Sequence, residues 1–270
     1  MKLDVLAIGA HPDDVELGCG GTVAKLAKAG RSVGILNLTR GEAGTRGTPE
    51  ERRGEAEDAA RALGVVELRF LDCGDGSLRS GPAEEDALIE VLRELRPDLV
   101  LSPTPYDRHP DHIRAHALVQ ACCFYSGLAP RGTKAHPTHR PAAVFSYMQH
   151  DSFEPAFVVD VTDSWDAKLA SLAAHRSQIY RPDPVGVSFG PQRLAAAEGA
   201  RRSEEPNETT TDAPGAGPLT KVSSPDFFFA IEGRARHFGN LIGATFGEPF
   251  WSPLPIAVGD LFSILPGGVR

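Results

Sequence analysis

The chain has 270 residues and a net charge of −8, which is long enough to bury a core without disulfide staples and too acidic for a general nucleic-acid binder, although one site can still be locally basic. No stretch approaches the roughly 20 apolar residues of a membrane span, and Lys2 is followed by no apolar leader, so we expect a cytoplasmic protein without membrane or nucleic-acid partners. The four cysteines, Cys19, Cys73, Cys122 and Cys123, lack C-x-x-C spacing and read as reduced, buried thiols.

In chain order, an apolar run at 3–8 reads as a strand and 19–29 as a helix. A strand at 32–38 leads to a helix at 49–63, with Thr48 as N-cap, Pro49 in the first turn and Glu51 three residues after the cap. Then follow a strand at 65–71, a helix at 82–95, a strand at 98–103 and a helix from Pro110 to about Ser126. Strands are expected at 142–148 and 156–161, and a helix capped by Thr162 or Asp163 runs to about Gln178. Strand–helix alternation with short connections implies a mostly parallel sheet with helices on both faces, a Rossmann-like three-layer α/β sandwich. Residues 203–225 are polar and rich in Pro, Gly and Thr, and read as a mobile or disordered insertion in a single domain spanning 1–270. The segment DFFFAIEGRARHFGNLIG after it reads as a helix with an aromatic inner face.

Residues 9–21, GAHPDDVELGCGG, stand where an α/β protein places a phosphate loop. The dinucleotide fingerprint needs G-x-G-x-x-G directly after the strand and an acid at the end of the second strand. Here His11 replaces the second glycine, and the second strand ends Asn37-Leu38-Thr39. Gly18, Gly20 and Gly21 come late and read as points where a helix packs closely on the sheet. A second cluster, YDRHPDHIRAH at 106–116, follows the strand at 98–103. Ligand sites of open α/β sheets gather at the carboxyl edge, so His11, Asp13, Asp14, His109, Asp111 and His112 should share it. Three N/O donors with an open position are the signature of catalytic zinc; Fe(II) accepts the same set. Zinc lowers the pKa of its bound water toward ~7, and a further carboxylate can take the water's proton. Adjacent Asp13 and Asp14 cannot point the same way, so one suits the metal and the other the water.

Through AHPDD at 10–14 and HPDH at 109–112, the chain resembles the LmbE-like, or PIG-L, family of zinc-dependent N-deacetylases. Within it the likeness is to the bacillithiol-biosynthesis branch that acts on N-acetylglucosaminyl-malate. There EDRHPDH is typical, and this chain has Tyr106-Asp107-Arg108-His109-Pro110-Asp111-His112. Residues 47–64 and 146–163 also fit the branch, whereas 203–225 is longer and more polar than expected of it. The resemblance implies that His11, Asp14 and His112 bind the metal and that Asp13 is the general base. It implies that His109 stabilises the oxyanion or protonates the leaving amine, and that Asp111 orients His109. Arg52 aligns with a substrate-contacting arginine, with Arg53 as the rival counterpart; a guanidinium suits a malate carboxylate. Arg108 and His139 complete the expected substrate side. The implied partner is a small N-acetylated amino sugar, cleaved to acetate and a free amine, and the implied assembly is a homo-oligomer.

His116, four residues after His112, reads as a surface residue or one behind the metal ligands. His136 and His150 lie near loops, Tyr180 and Arg181 are pocket candidates, and His175 and His237 read as structural. A non-haem iron oxygenase is the rival enzyme class, because His11-Pro12-Asp13 is H-x-D; its usual antiparallel β sandwich conflicts with the alternation here. A non-catalytic metal or sugar-binding module would leave Asp13 and His109 without a task. Among amidases the alternatives are enzymes of thiol conjugates or of other N-acetylglucosaminides.

Overall fold

Alternate residues of β1 (Val5–Gly9) feed different cores. Leu6 and Ile8 point to one face of the sheet and Val5 and Ala7 to the other, and all four are buried. A strand buried on both faces is the mark of a parallel sheet sandwiched by helices. The computed structural model describes residues 1–179 and 220–259 and bears this out. After β1 come α1 (Asp14–Lys28), β2 (Val33–Asn37), α2 (Pro49–Leu63), β3 (Glu67–Phe70), α3 (Pro82–Leu95), β4 (Leu99–Ser102), α4 (Pro110–Tyr125) and β5 (Ala143–Tyr147). Then follow β6 (Phe157–Asp160), a 3-10 turn at Thr162–Ser164, α5 (Trp165–Ala174), α6 (Pro225–Leu241) and β7 (Gly247–Trp251).

The seven strands form one sheet in the order β3-β2-β1-β4-β5-β7-β6. Strands β1 to β5 pair in parallel, and β7 pairs antiparallel with both β5 and β6. Helices α3 and α4 cover one face, with Leu88, Leu92, Leu118 and Val119 in its core. Helices α1 and α2 cover the other, with Val15, Val23 and Leu63. A third cluster joins α5 to α6 through Trp165, Leu172, Ile231 and Ala235, with Trp165 stacked on Phe246 at 4.2 Å. All four cysteines are free and buried, as expected. Among the described residues no helix is long and apolar enough to cross a membrane.

Helix α2 has the expected bounds, and its capping box is complete: Thr48 Oγ1 accepts the Glu51 N–H at 3.1 Å while Glu51 accepts the Thr48 N–H at 2.7 Å. Three expectations need correction. Helix α1 starts at Asp14 rather than 19, because it runs through the glycines with a single non-helical residue, Cys19 (φ −145°). The helix expected to reach Gln178 ends at Ala174, and a 3-10 turn precedes it. Strand β7 was not expected, because Pro249 and Glu248 argue against an inner strand. The expected insertion lies outside the described residues through 219, as do Tyr180 and Arg181. Its last residues, from Thr220, form a turn in which Ser224 caps α6 by accepting the Phe227 N–H at 3.2 Å.

Candidate metal centre and active site

From β1 the chain winds outward through β2 and β3, then returns to place β4 on the other side of β1. The gap beyond the carboxyl ends of β1 and β4 is therefore the topological switch point, where open α/β sheets form their crevice. His11, Asp13 and Asp14 follow β1, while His109, Asp111 and His112 follow β4, so both H-P-D segments meet there.

His11, Asp14 and His112 are all buried, and one donor atom of each lies within 4.8 Å of the others. His11 Nδ1 is 3.5 Å from Asp14 Oδ2, and His112 Nε2 is 3.3 Å from Asp14 Oδ1. Two ligands on one tetrahedral zinc, each ~2.0–2.1 Å from it, lie about 3.4 Å apart, so the spacing suits a shared cation. The far sides of the rings face carboxylates: His112 Nδ1 is 3.2 Å from Asp107 Oδ1, and His11 Nε2 is 3.0 Å from Asp75 Oδ1. Neither contact has hydrogen-bond geometry. Asp14 is further held by the His11 N–H at 2.8 Å and by Gln149 Nε2 at 2.6 Å. Four carboxylates, Asp14, Asp75, Asp107 and Asp111, thus surround two imidazoles in a buried space, a donor chemistry that suits a divalent cation.

Burial alone would lower the pKa of His112, but Asp14 and Asp107 raise it to about 9. Burial likewise opposes ionisation of Asp14, yet His112 and His11 hold it well below the ordinary carboxylate range. Asp13 differs. Burial pushes it up to about 6, against the pull of Arg52. It is the N-cap of α1 with φ 111°, a conformation rare outside glycine and costly by ~1–3 kcal/mol. That twist turns its carboxylate away from Asp14 and toward Arg52, whose Nη2 is 3.7 Å away.

His109 is the N-cap of α4, and its Nδ1 accepts the Asp111 N–H at 3.2 Å. With Nδ1 accepting, the neutral ring carries its proton on Nε2. The ring stacks on His112 at 4.6 Å and meets His11 edge-on at 5.0 Å. Burial, then the neighbouring imidazoles, lower its pKa. Asp111 does not orient His109 through its carboxylate, as the resemblance implied. Its Oδ1 accepts the Leu78 N–H and an Arg114 N–H, both at 3.0 Å, and its Oδ2 is 3.5 Å from His11. The hydrogen bond to His109 comes from the Asp111 backbone, while the Asp111 carboxylate lies with His109 and His11 in a second group of donor atoms within 4.8 Å of one another.

Among the expected substrate residues, Arg52 reaches the site and Arg53 does not. Arg52 is 4% exposed and donates to the carbonyls of Pro12 (2.8 Å) and Gly41 (2.9 Å). Arg53 lies on the outer face of α2 beside Glu57. Arg108 is exposed in the loop before His109. His139 is not brought to the site: its Nε2 donates to the Pro97 carbonyl at 2.7 Å, at the amino edge where β4 begins. His116 Nδ1 sits 2.9 Å from the Pro103 carbonyl, behind the cluster, and His175 is buried against Glu16. His150, noted beside a loop, does enter, stacking on His112 at 5.5 Å; Asp75, Asp107 and Gln149 were not singled out. Asp75 follows the end of β3 and Gln149 the end of β5, so their positions relative to the strand ends were the signal available.

A family model described as PIG-L, GlcNAc-PI de-N-acetylase, matches residues 6–123. A diacetylchitobiose deacetylase of Thermococcus kodakarensis is 34% identical over 204 residues, covering 69% of this chain and 73% of that protein. A 1D-myo-inositol 2-acetamido-2-deoxy-alpha-D-glucopyranoside deacetylase of Kineococcus radiotolerans is 30% identical over 247 residues, covering 65% of this chain and 68% of its own. The crystal structure of a conserved protein of Thermus thermophilus superposes with a TM-score of 0.76 at 34% identity, covering 96% of this chain and 98% of that one.

Proposed function

The chain belongs to the PIG-L, or LmbE-like, family of N-deacetylases, and from that premise we propose that it removes the acetyl group of a 2-acetamido-2-deoxyglucoside in a zinc-dependent reaction, with N-acetylglucosaminyl-malate as substrate. The observation that carries this is the buried His11–Asp14–His112 set, with Asp13 beside it in no ligand grouping among the described residues and His109 in the adjoining His11–His109–Asp111 group. The malate aglycone rests on the resemblance of residues 106–112 to the bacillithiol branch. Diacetylchitobiose and the myo-inositol glycoside, the substrates in the names of two relatives, are its competitors.

His11, Asp14 and His112 would hold the cation; bound there, it supplies Lewis acidity, polarising an acetamide carbonyl and acidifying a water. Asp13 takes the proton of the attacking water, which requires its carboxylate form. Arg52 favours that form and, through the Pro12 carbonyl, fixes the twisted backbone of Asp13. Two of the five Arg52 N–H groups are committed to the Gly41 and Pro12 carbonyls, which leaves the remaining Nη donors for substrate. His109 offers its Nε2–H to the developing oxyanion, where preorganised charge contributes most to the rate, and the proton that Asp13 takes from the water passes to the departing amine. Arg108 meets the aglycone side. Products are acetate and the glucosamine amine. We carry a homo-oligomeric, cytoplasmic protein from the resemblance alone.

The test is amine release by metal-stripped protein after addition of zinc or Fe(II). N-acetylglucosaminyl-malate, diacetylchitobiose and the myo-inositol glycoside serve as parallel substrates. We expect no release without metal, recovery with zinc, and preference for the malate glycoside. Preference for another glycoside would move the aglycone and keep the reaction. Metal binding without release from any substrate would return the protein to a binding role.

A further inference from the structure

A cleft of about 690 Å³ opens between the loop after β5 and helix α6, and it runs into the site just described. Gln149, at its inner end, is the residue that donates to Asp14. Its neighbour His150 stacks on His112 at 5.5 Å and meets the Phe227 ring at 5.9 Å. The cleft therefore lies beside the centre where the acetamide would be cleaved, separated from it by Gln149 and His150, and leads away along α6.

Its lining is unusual for a chain of net charge −8. Among the described residues the walls include Lys221, Arg234 and His237 but no aspartate or glutamate. The remaining surface is aromatic and aliphatic, with Phe153, Phe227 and Leu241 among its members. Arg234 is the most informative of these residues. Its guanidinium donates only to backbone carbonyls, those of Gln149 and Leu17, and forms no ion pair with a described carboxylate. Burial pulls its pKa down to about 10, so the charge persists at neutral pH. Glu248 and Asp107 offset part of that burial without pairing with Arg234 directly, and an anion bound in the cleft would add a direct partner.

We propose that this cleft is the aglycone subsite of the deacetylase, and that it takes an aglycone bearing a carboxylate or phosphate read by Lys221, Arg234 and His237. The sugar ring lies toward Gln149 and His150, and the anionic group along α6. A neutral aglycone finds the apolar walls but leaves the three basic residues unanswered. This rests on the deacetylase reading above and adds to it the residues that choose among glycosides.

The experiment compares kcat/KM on four N-acetylglucosaminides that differ only in aglycone: malate, glycerol phosphate, methyl and a second N-acetylglucosamine. Charge-assisted hydrogen bonds set the scale. We expect the two anionic glycosides to exceed the methyl glycoside by about ten-fold or more. The Lys221→Glu and His237→Asp variants should each cut that ratio by about ten-fold; both residues are exposed, so the fold should tolerate the changes. The better of the two anions identifies the source. Equal rates on anionic and methyl glycosides, or a ratio that Lys221→Glu does not move, would overturn the assignment. If no glycoside is cleaved, the deacetylase reading fails by itself. Calorimetric binding of O-methyl malate and glycerol phosphate then decides the cleft: binding weakened by Lys221→Glu supports it, and no binding refutes it.

Discussion

At the scale of single residues, Asp13 and Asp14 are chemically identical neighbours with opposite environments. Asp14 faces two imidazoles and is held ionised, whereas Asp13 is turned by its left-handed backbone into a buried place where Arg52, with lesser help from His175 and His11, offsets the loss of water. The expected consequence is a separation of roles. Asp13→Asn should keep its metal and lose activity by ~10²–10⁴, and Asp14→Ala should lose the metal itself. Metal content and kcat measured on both variants check this. Near-normal turnover in the first, or unchanged metal in the second, would exchange or remove the assignments. The two H-P-D tripeptides made the cluster legible, because each follows an apolar run whose end is easy to see. Asp75, Asp107 and Gln149 were not legible as a group. They reach the cluster from the ends of three different strands, and their contacts depend on the strands' relative registers. His139 was misplaced for the same reason: a histidine before a strand lies at the opposite edge from one after it.

At the scale of elements, the bend in α1 is what lets its first turn carry Asp14 while its later turns lie on the sheet. Gly18 makes the approach: a Cβ there would stand 2.1 Å from the ring of Tyr147, which is fully buried and donates to the Ile8 carbonyl at 2.8 Å. Overpacking of this kind costs ~1–3 kcal/mol. Gly18→Ala should therefore lower Tm by roughly 2–10 °C in calorimetry. An unchanged Tm would mean that the Tyr147 ring yields without cost. The late glycines of residues 9–21 were read as packing positions, and Gly18 and Gly21 behave so; a Cβ on Gly21 would meet Val161 at 2.8 Å. The regular helices were legible because cap, first-turn proline and apolar period coincide, as at Thr48-Pro49. Strand β7 was not, because Pro249 and the ion-paired Glu248 precede its one core aromatic, Phe250, and no apolar alternation announces it.

At the scale of the molecule, that ion pair joins elements far apart in sequence. Glu248 of β7 accepts the N–H groups of Gly21 and Thr22, the Thr22 hydroxyl and Lys168 Nζ, the last at 2.5 Å; Lys168 also donates to the Leu17 carbonyl at 3.0 Å. Removing one partner of a buried pair leaves the other charge uncompensated, at ~3–5 kcal/mol. Lys168→Met should lose about that much in urea unfolding, and Lys168→Met with Glu248→Gln should lose less than the single variant. A double variant as unstable as the single one would show that the cost lies in packing instead. The pair also bears on synthesis. Among the described residues strand β6 pairs only with β7, and the bend of α1 is fastened by a residue 226 positions after Thr22. As the chain leaves the ribosome, the His11, Asp14 and His112 cluster of its first half emerges early, but the strand that secures its helix follows Thr22 by 226 residues. The nascent protein must therefore wait, with one sheet edge open, for its closing strand before its centre can be held in place.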